Sequence, residues 1–136
     1  GELLEHTEYC GNYYGTPKQT VEEVLADGKN VVLKIETEGA ANVKKMLPEA
    51  VLIFILPPSM EELSRRLHKR GTEDEETIQK RLKQAETEIS NAYDYDYVIV
   101  NGELDAAVND FVSIVKAEGF RTGRNTEIIS KLNKSL

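Results

Sequence analysis

Apolar positions recur along the chain in two alternating periods, one near 3.6 and one of 2. Val21, Val24 and Leu25 fall on one helical face behind Thr20 and Glu23, a pair spaced as a capping box, and Gly28 is placed to end that helix. Asn30–Glu36 then alternates: Val31, Leu33 and Ile35 point one way and Val32, Lys34 and Glu36 the other, which predicts a strand. A short helix is expected over Ala40–Leu47, stopped by Pro48. Val51–Leu56 is an unbroken apolar run, the mark of a strand buried on both faces of a parallel sheet. Ser59 and Glu62 form a second capping box for a helix carrying Leu63 and Leu67 inward and ending at Gly71. From Thr72 another helix is predicted, with Ile78, Leu82, Ala85 and Ile89 on its inner face. Tyr97–Val100 reads as a strand, and Leu104–Ala117 as a helix presenting Leu104, Val108, Phe111 and Val115 before Gly119. A peripheral tail helix carries Ile128, Ile129 and Leu132.

Strands alternating with helices imply βαβ crossovers and a parallel sheet, hence an α/β fold. Only three strands emerge from the pattern, few for a sheet covered on both faces. Further strands are therefore expected upstream of Gly1, a residue that itself suggests a chain cut from something longer or processed.

Composition narrows the partners. The 136 residues are 40% hydrophobic and 30% charged, the range of one globular domain. A net charge of −7 argues against nucleic acid or an acidic membrane as the main partner. Cys10 is the sole cysteine, so no intrachain disulfide can form, and no signal peptide or membrane-length apolar run is present; the cytoplasm is the expected compartment. His6, His68 and a lone cysteine make no zinc pattern.

Three groups of residues could carry chemistry. Gly11–Thr16, Gly-Asn-Tyr-Tyr-Gly-Thr, sets two aromatic rings between flexible glycines and reads as a loop holding a planar polar object, or else as a hairpin-like turn covering a core edge. Ligands in open α/β sheets bind beyond the carboxyl ends of the strands, which places Lys34, Glu36, Pro57 and Asn101 around one rim. Lys34 and Glu36 could reach a phosphate or its metal ion, or simply form a surface ion pair. Arg66 and Arg70 share a helix face, and Arg81 follows across Gly71 on the next helix. Such a unit can fold over a polyanion, since guanidinium forks suit phosphate, unless the arginines merely pair with Glu61, Glu62, Glu73, Glu75 and Glu76 in solvent.

Taken in order, Glu5-His6, Gly11–Pro17, Ile35-Glu36 with Glu38-Gly39-Ala40, Ile53–Ser59, Arg65-Arg66-Leu67, Arg70-Gly71-Thr72, Arg81-Leu82 and Tyr95–Asn101 resemble the guanylate kinase family over residues 1 to 120. The ordered set is far more specific than any one motif. The resemblance implies a P-loop nucleoside monophosphate kinase-type three-layer fold and transfer of the ATP γ-phosphate to GMP with Mg²⁺. It assigns residues 1–28 to a GMP-binding part, 29–66 and 93–120 to a core, 67–92 to a lid and 121–136 to a tail helix. By position, Glu5 would accept from the guanine N1 and N2 donors, Thr16 would bond the base, and Tyr13 and Tyr14 would serve the GMP phosphate. Glu36 would lie near the phosphates and the metal's water shell, with no direct metal ligand in the chain. Arg66, Arg70 and Arg81 would close on the ATP phosphates, and Asn101 would sit by the adenine.

Two departures stand out. Lys34 occupies a position generally acidic in the family, and the 136 residues contain no Gly-x-x-x-x-Gly-Lys-Ser/Thr. The resemblance is thus to the C-terminal two-thirds of a guanylate kinase, without the P-loop and its strand, and the expectation is negligible phosphoryl transfer by this stretch alone and self-association through open sheet edges. Two other functions fit part of the pattern: a guanylate-kinase-like interaction module binding phosphorylated peptides, and another monophosphate kinase, against which Glu5 with Thr16 speaks.

Overall fold

A computed structural model describes residues 3–9 and 12–135, with the side chains of residues 4–14 outside that description. Cys10 and Gly11 lie outside it too.

The chain begins with an antiparallel hairpin, β1 (Leu3–Tyr9) and β2 (Asn12–Pro17). Of Gly11–Thr16, read from sequence as a loop or a hairpin-like turn, residues 12–16 are thus strand in a hairpin. Neighbouring β-prone tyrosines and threonine let this segment pair with β1 instead of standing free. Helix α1 (Lys18–Ala26) follows at once. Its N-cap is Pro17, with no side-chain capping bond, so the Thr20–Glu23 capping box does not form. Proline's fixed φ starts the helix two residues before Thr20 becomes available as a cap. Gly28 ends the turn with φ +77°, as expected.

Residues 31–36 keep the expected alternation, Val32 facing solvent while Val31, Leu33 and Ile35 pack onto Val21 and Val43. They nevertheless join no ladder: among the described residues no strand pairs with them. Apolar alternation can be satisfied by packing alone, whereas a strand needs a neighbour's N–H and C=O groups. Helix α2 (Thr37–Met46) starts three residues before the expected Ala40 and packs on β1 with Ala40 and Val43 buried.

β3 (Ile53–Leu56) and β4 (Tyr97–Val100) form a parallel pair in the register Ile53–Tyr97 to Leu56–Val100. Asp96 starts it. Its carboxylate accepts from the Leu52 N–H at 2.8 Å and from Lys44 Nζ at 3.2 Å, while its own N–H donates to Leu52 O at 2.9 Å. Burial on both faces is not reached, because Ile55 on β3 and Val98 and Val100 on β4 remain about half exposed.

Between these strands run α3 (Met60–Arg70), α4 (Glu75–Ile89) and a 3₁₀ turn, Ser90–Asp94. Ser59 caps α3 by accepting from the Glu62 N–H at 3.0 Å. The Glu62 side chain does not complete the box but turns to Arg65 and Arg66. Gly71 closes α3 in the left-handed region at φ +63°, and Asp74, not Thr72, caps α4 through the Thr77 N–H at 2.9 Å. Replacing Gly71 with Ala meets no close atom, only the Lys69 carbonyl at 4.0 Å. It should still cost about 1 kcal/mol, because a Cβ disfavours that backbone region. Urea unfolding of the variant measures this, and an unchanged midpoint would contradict it.

Helix α5 (Leu104–Gly119) is turned from the expected face. Ala107, Phe111 and Ile114 are half-buried and Glu118 fully buried, whereas Leu104, Val108 and Val115 are exposed. A short 3₁₀ turn, Thr122–Arg124, leads to the peripheral α6 (Thr126–Lys134), whose Ile128, Ile129 and Leu132 stay in solvent.

Candidate functional site

The hairpin brings the two base-reading candidates together. Glu5 and Thr16 are direct cross-strand partners, with Thr7 opposite Tyr14 and Glu8 opposite Tyr13. Partners across an antiparallel pair share one face. Positions 5, 7, 14 and 16 therefore have one parity and position 13 the other, which separates Tyr14 from Tyr13. The side chains of Glu5, Tyr13 and Tyr14 lie outside the described residues, so for them backbone register is the whole observation.

At the carboxyl end of β4, Arg66 is committed to the protein itself. Its Nη1 donates to the Asn101 carbonyl at 2.7 Å, its Nη2 to the Gly102 carbonyl at 2.9 Å, and its Nε to Glu62 Oε1 at 3.0 Å. Glu62 also takes both forks of Arg65, and these guanidiniums hold its carboxyl far below the usual range, at about 2. Arg66, expected from sequence at the ATP phosphates, is thus adjacent to Asn101, expected by the adenine. The contact is to the backbone of residue 101, and the three bonds engage three of the five guanidinium N–H groups.

A second group forms where residues 31–36 end. Burial and the neighbouring Glu88 push the Glu36 carboxyl up, while Arg81 and Lys34 pull it down. The Tyr95 hydroxyl is raised by burial, Glu88 and Glu36, and its ring packs edge-on against Phe54 with centroids 5.0 Å apart. Arg81 also donates from Nε to Glu73 Oε2 at 2.7 Å. Glu36 and Arg81, distant in sequence, are therefore in one electrostatic neighbourhood with Glu88 and Tyr95. Lys34 stands exposed beside them.

Arg70 joins neither group. It is exposed at the last position of α3, with no partner among the described residues. Glu62 and Glu73, named from sequence as alternative ion-pair partners of the arginines, do pair with Arg66 and Arg81. Glu88 was not singled out, although it lies two helical turns beyond Arg81 on α4, at the spacing that shares a face.

The guanylate kinase family model matches residues 1–118. The chain belongs to the guanylate kinase family. Guanylate kinase from Desulfitobacterium hafniense is 53% identical over 123 residues, covering 90% of this chain and 62% of that protein. A guanylate kinase of Thermus thermophilus is 55% identical over 127 residues, covering 93% of this chain and 58% of its own. The crystal structure of guanylate kinase from Anaplasma phagocytophilum superimposes with a TM-score of 0.76 at 40% identity, covering 91% of this chain and 60% of that one. The chain thus spans about three-fifths of the length of these guanylate kinases. The α/β fold of this chain, with its small parallel sheet, is similar to that solved guanylate kinase. No helix among the described residues is long and apolar enough to cross a membrane.

Proposed function

We propose that these residues form the GMP-reading, lid and nucleotide-rim parts of an ATP:GMP phosphotransferase with the three-layer monophosphate kinase fold, working in the cytoplasm. The observation that carries the reading is the Glu5–Thr16 cross-strand pair. A carboxylate that only accepts and a hydroxyl beside it suit the donor-bearing edge of guanine. Tyr14, on the same parity, serves the GMP phosphate, with Tyr13 a weaker candidate on the opposite parity.

ATP is the phosphoryl donor. Residues 67–92 act as the lid, 29–66 and 93–120 as the core, 1–28 as the GMP part and 121–136 as the tail. Asn101 and the Gly102 carbonyl, held by Arg66, make the adenine side of the rim. Arg70 and Arg81 meet the phosphates when the lid shuts, a motion on the μs–ms scale. Arg66 adds to them through the two N–H groups that its bonds to Glu62, Asn101 and Gly102 leave over.

Glu36 is the residue here that would serve Mg²⁺. Burial first and then Glu88 raise its carboxyl, while Arg81 and Lys34 lower it, and the described residues hold no group of three or more ligating side chains. Mg²⁺ keeps most of its waters and leans on substrate phosphates, so Glu36 would hold it through the water shell, with no direct protein ligand. When bound, Mg²⁺ offsets charge on the transferring group.

Phosphoryl transfer also needs backbone N–H groups and a lysine around the β/γ-phosphates. The 136 residues have no such loop, so by themselves they should turn over far below the ~1–100 s⁻¹ of kinases. Turnover in that range by the purified chain would refute this. The half-exposed Val98 and Val100 and the open edges of the β3–β4 pair favour self-association, and light scattering showing a stable monomer would count against it. Titration calorimetry with GMP, ATP and a phosphorylated peptide tests the function. GMP heat lost in Glu5→Gln supports nucleotide handling; peptide binding without nucleotide binding would instead mark an interaction module.

A further inference from the structure

Side chains of the α3–α4 connection are tied to α4: Glu73 binds Arg81, and Asp74 caps the helix. His68 on α3 places Nε2 at 2.7 Å from Glu75 Oε2 on α4, with Nδ1 at 2.7 Å from the Ser64 carbonyl one turn back. Both neighbours are acceptors only. A neutral imidazole carries one N–H and satisfies one of them, whereas imidazolium donates to both.

We propose that His68 is a positioning residue, a protonation-dependent clasp across the Gly71 corner that sets the angle between α3 and α4. Glu75 is the charged group facing it from α4, and that carboxylate is itself steadied by the Gln79 amide at 2.8 Å. On its own helix, Arg65 is turned to Glu62, and Lys69 and Arg70 share the last turn. The carboxyl end of α3 also favours a cation at this position.

Losing the proton sets a lone pair against the Ser64 carbonyl and removes charge from the Glu75 bond. Ser64 Oγ, 3.4 Å from Nδ1, then gives the bare nitrogen an alternative partner on α3. The Ser64 and Glu75 bonds raise the affinity of His68 for its proton. The clasp therefore holds at acid pH and loosens as pH rises through that elevated midpoint. Among these links His68 is the one whose side-chain type ordinarily titrates close to neutrality. Opening moves Arg81 and Glu88 on α4 relative to Arg66 and Arg70 on α3. Only this consequence rests on the lid reading above.

The test follows the imidazole signals of His68 by NMR in the 136-residue chain, with His6→Gln to remove the second histidine. It also measures spin-label distances between cysteines placed at exposed Glu61 and Lys83 in a Cys10→Ser background. His68 should titrate above the free-imidazole value of about 6.5 and fall back towards it in Glu75→Gln. The label distance should shift through the same midpoint and hold constant in His68→Lys. A wild-type midpoint at the free value, or one insensitive to Glu75→Gln, would overturn the clasp. A raised midpoint with a pH-independent distance would overturn the positioning role. Nucleotide affinity enters neither readout, so failure to bind GMP would sink the kinase reading and leave the clasp standing.

Discussion

Charge reversal of Arg70 lowers kcat by about 10³-fold or more in a guanylate kinase carrying these residues together with a phosphate-binding loop. GMP affinity in the same variant holds. The two effects separate because Arg70 is exposed and makes no hydrogen bond or ion pair among the described residues, while the proposed guanine contacts lie on the β1–β2 hairpin. An exposed side chain without partners contributes little to folding, within about 0.5 kcal/mol. Its loss should therefore register in the step where charge builds on the phosphoryl group. Arg66 offers the contrast: its three bonds to Glu62, Asn101 and Gly102 mean that Arg66→Ala disturbs the rim as well as any phosphate contact. Steady-state kinetics on Arg70→Glu decide the point. A rise in the KM for GMP with kcat intact would remove Arg70 from the phosphate side.

Tyr97→Phe destabilises the fold by about 1.5–3 kcal/mol, the worth of a hydrogen bond to a charged group. Glu118 is only 7% exposed, and its Oε1 accepts from the Tyr97 hydroxyl at 2.6 Å. Its Oε2 has no hydrogen bond among the described residues and faces Arg121 and Arg124 at 3.5 and 3.8 Å. Removing the phenol leaves a buried carboxylate served by two half-engaged guanidiniums. Denaturant unfolding reads the loss. A Tyr97→Phe midpoint equal to wild type would show that the arginines, drawn closer, replace the phenol.

The same carboxylate explains why one helix face was misread. Leu104, Val108, Phe111 and Val115 make a credible apolar stripe, but so do Ala107, Phe111 and Ile114. Periodicity cannot choose between stripes that overlap at Phe111. The choice falls to Glu118, whose bond to Tyr97 turns the helix, and a glutamate is not a residue that sequence reasoning sends inside. The bonds of Arg66 were not legible for a related reason: the Asn101 and Gly102 carbonyls that accept from it are backbone groups with no sequence signature.

Local signals carried what depended on few atoms close in sequence. The Ser59 cap, the turns at Gly28 and Gly71, the strand Tyr97–Val100 and the ordered motifs of a guanylate kinase all follow from propensity, capping and residue type over short stretches. Tertiary structure alone decided that residues 31–36 find no ladder partner among the described residues, that Glu36 shares its surroundings with Arg81 and Glu88, and that His68 meets Glu75 across the corner. Each of these depends on partners from separate elements, and the energy of such a contact exists only once the chain has closed the loop between them.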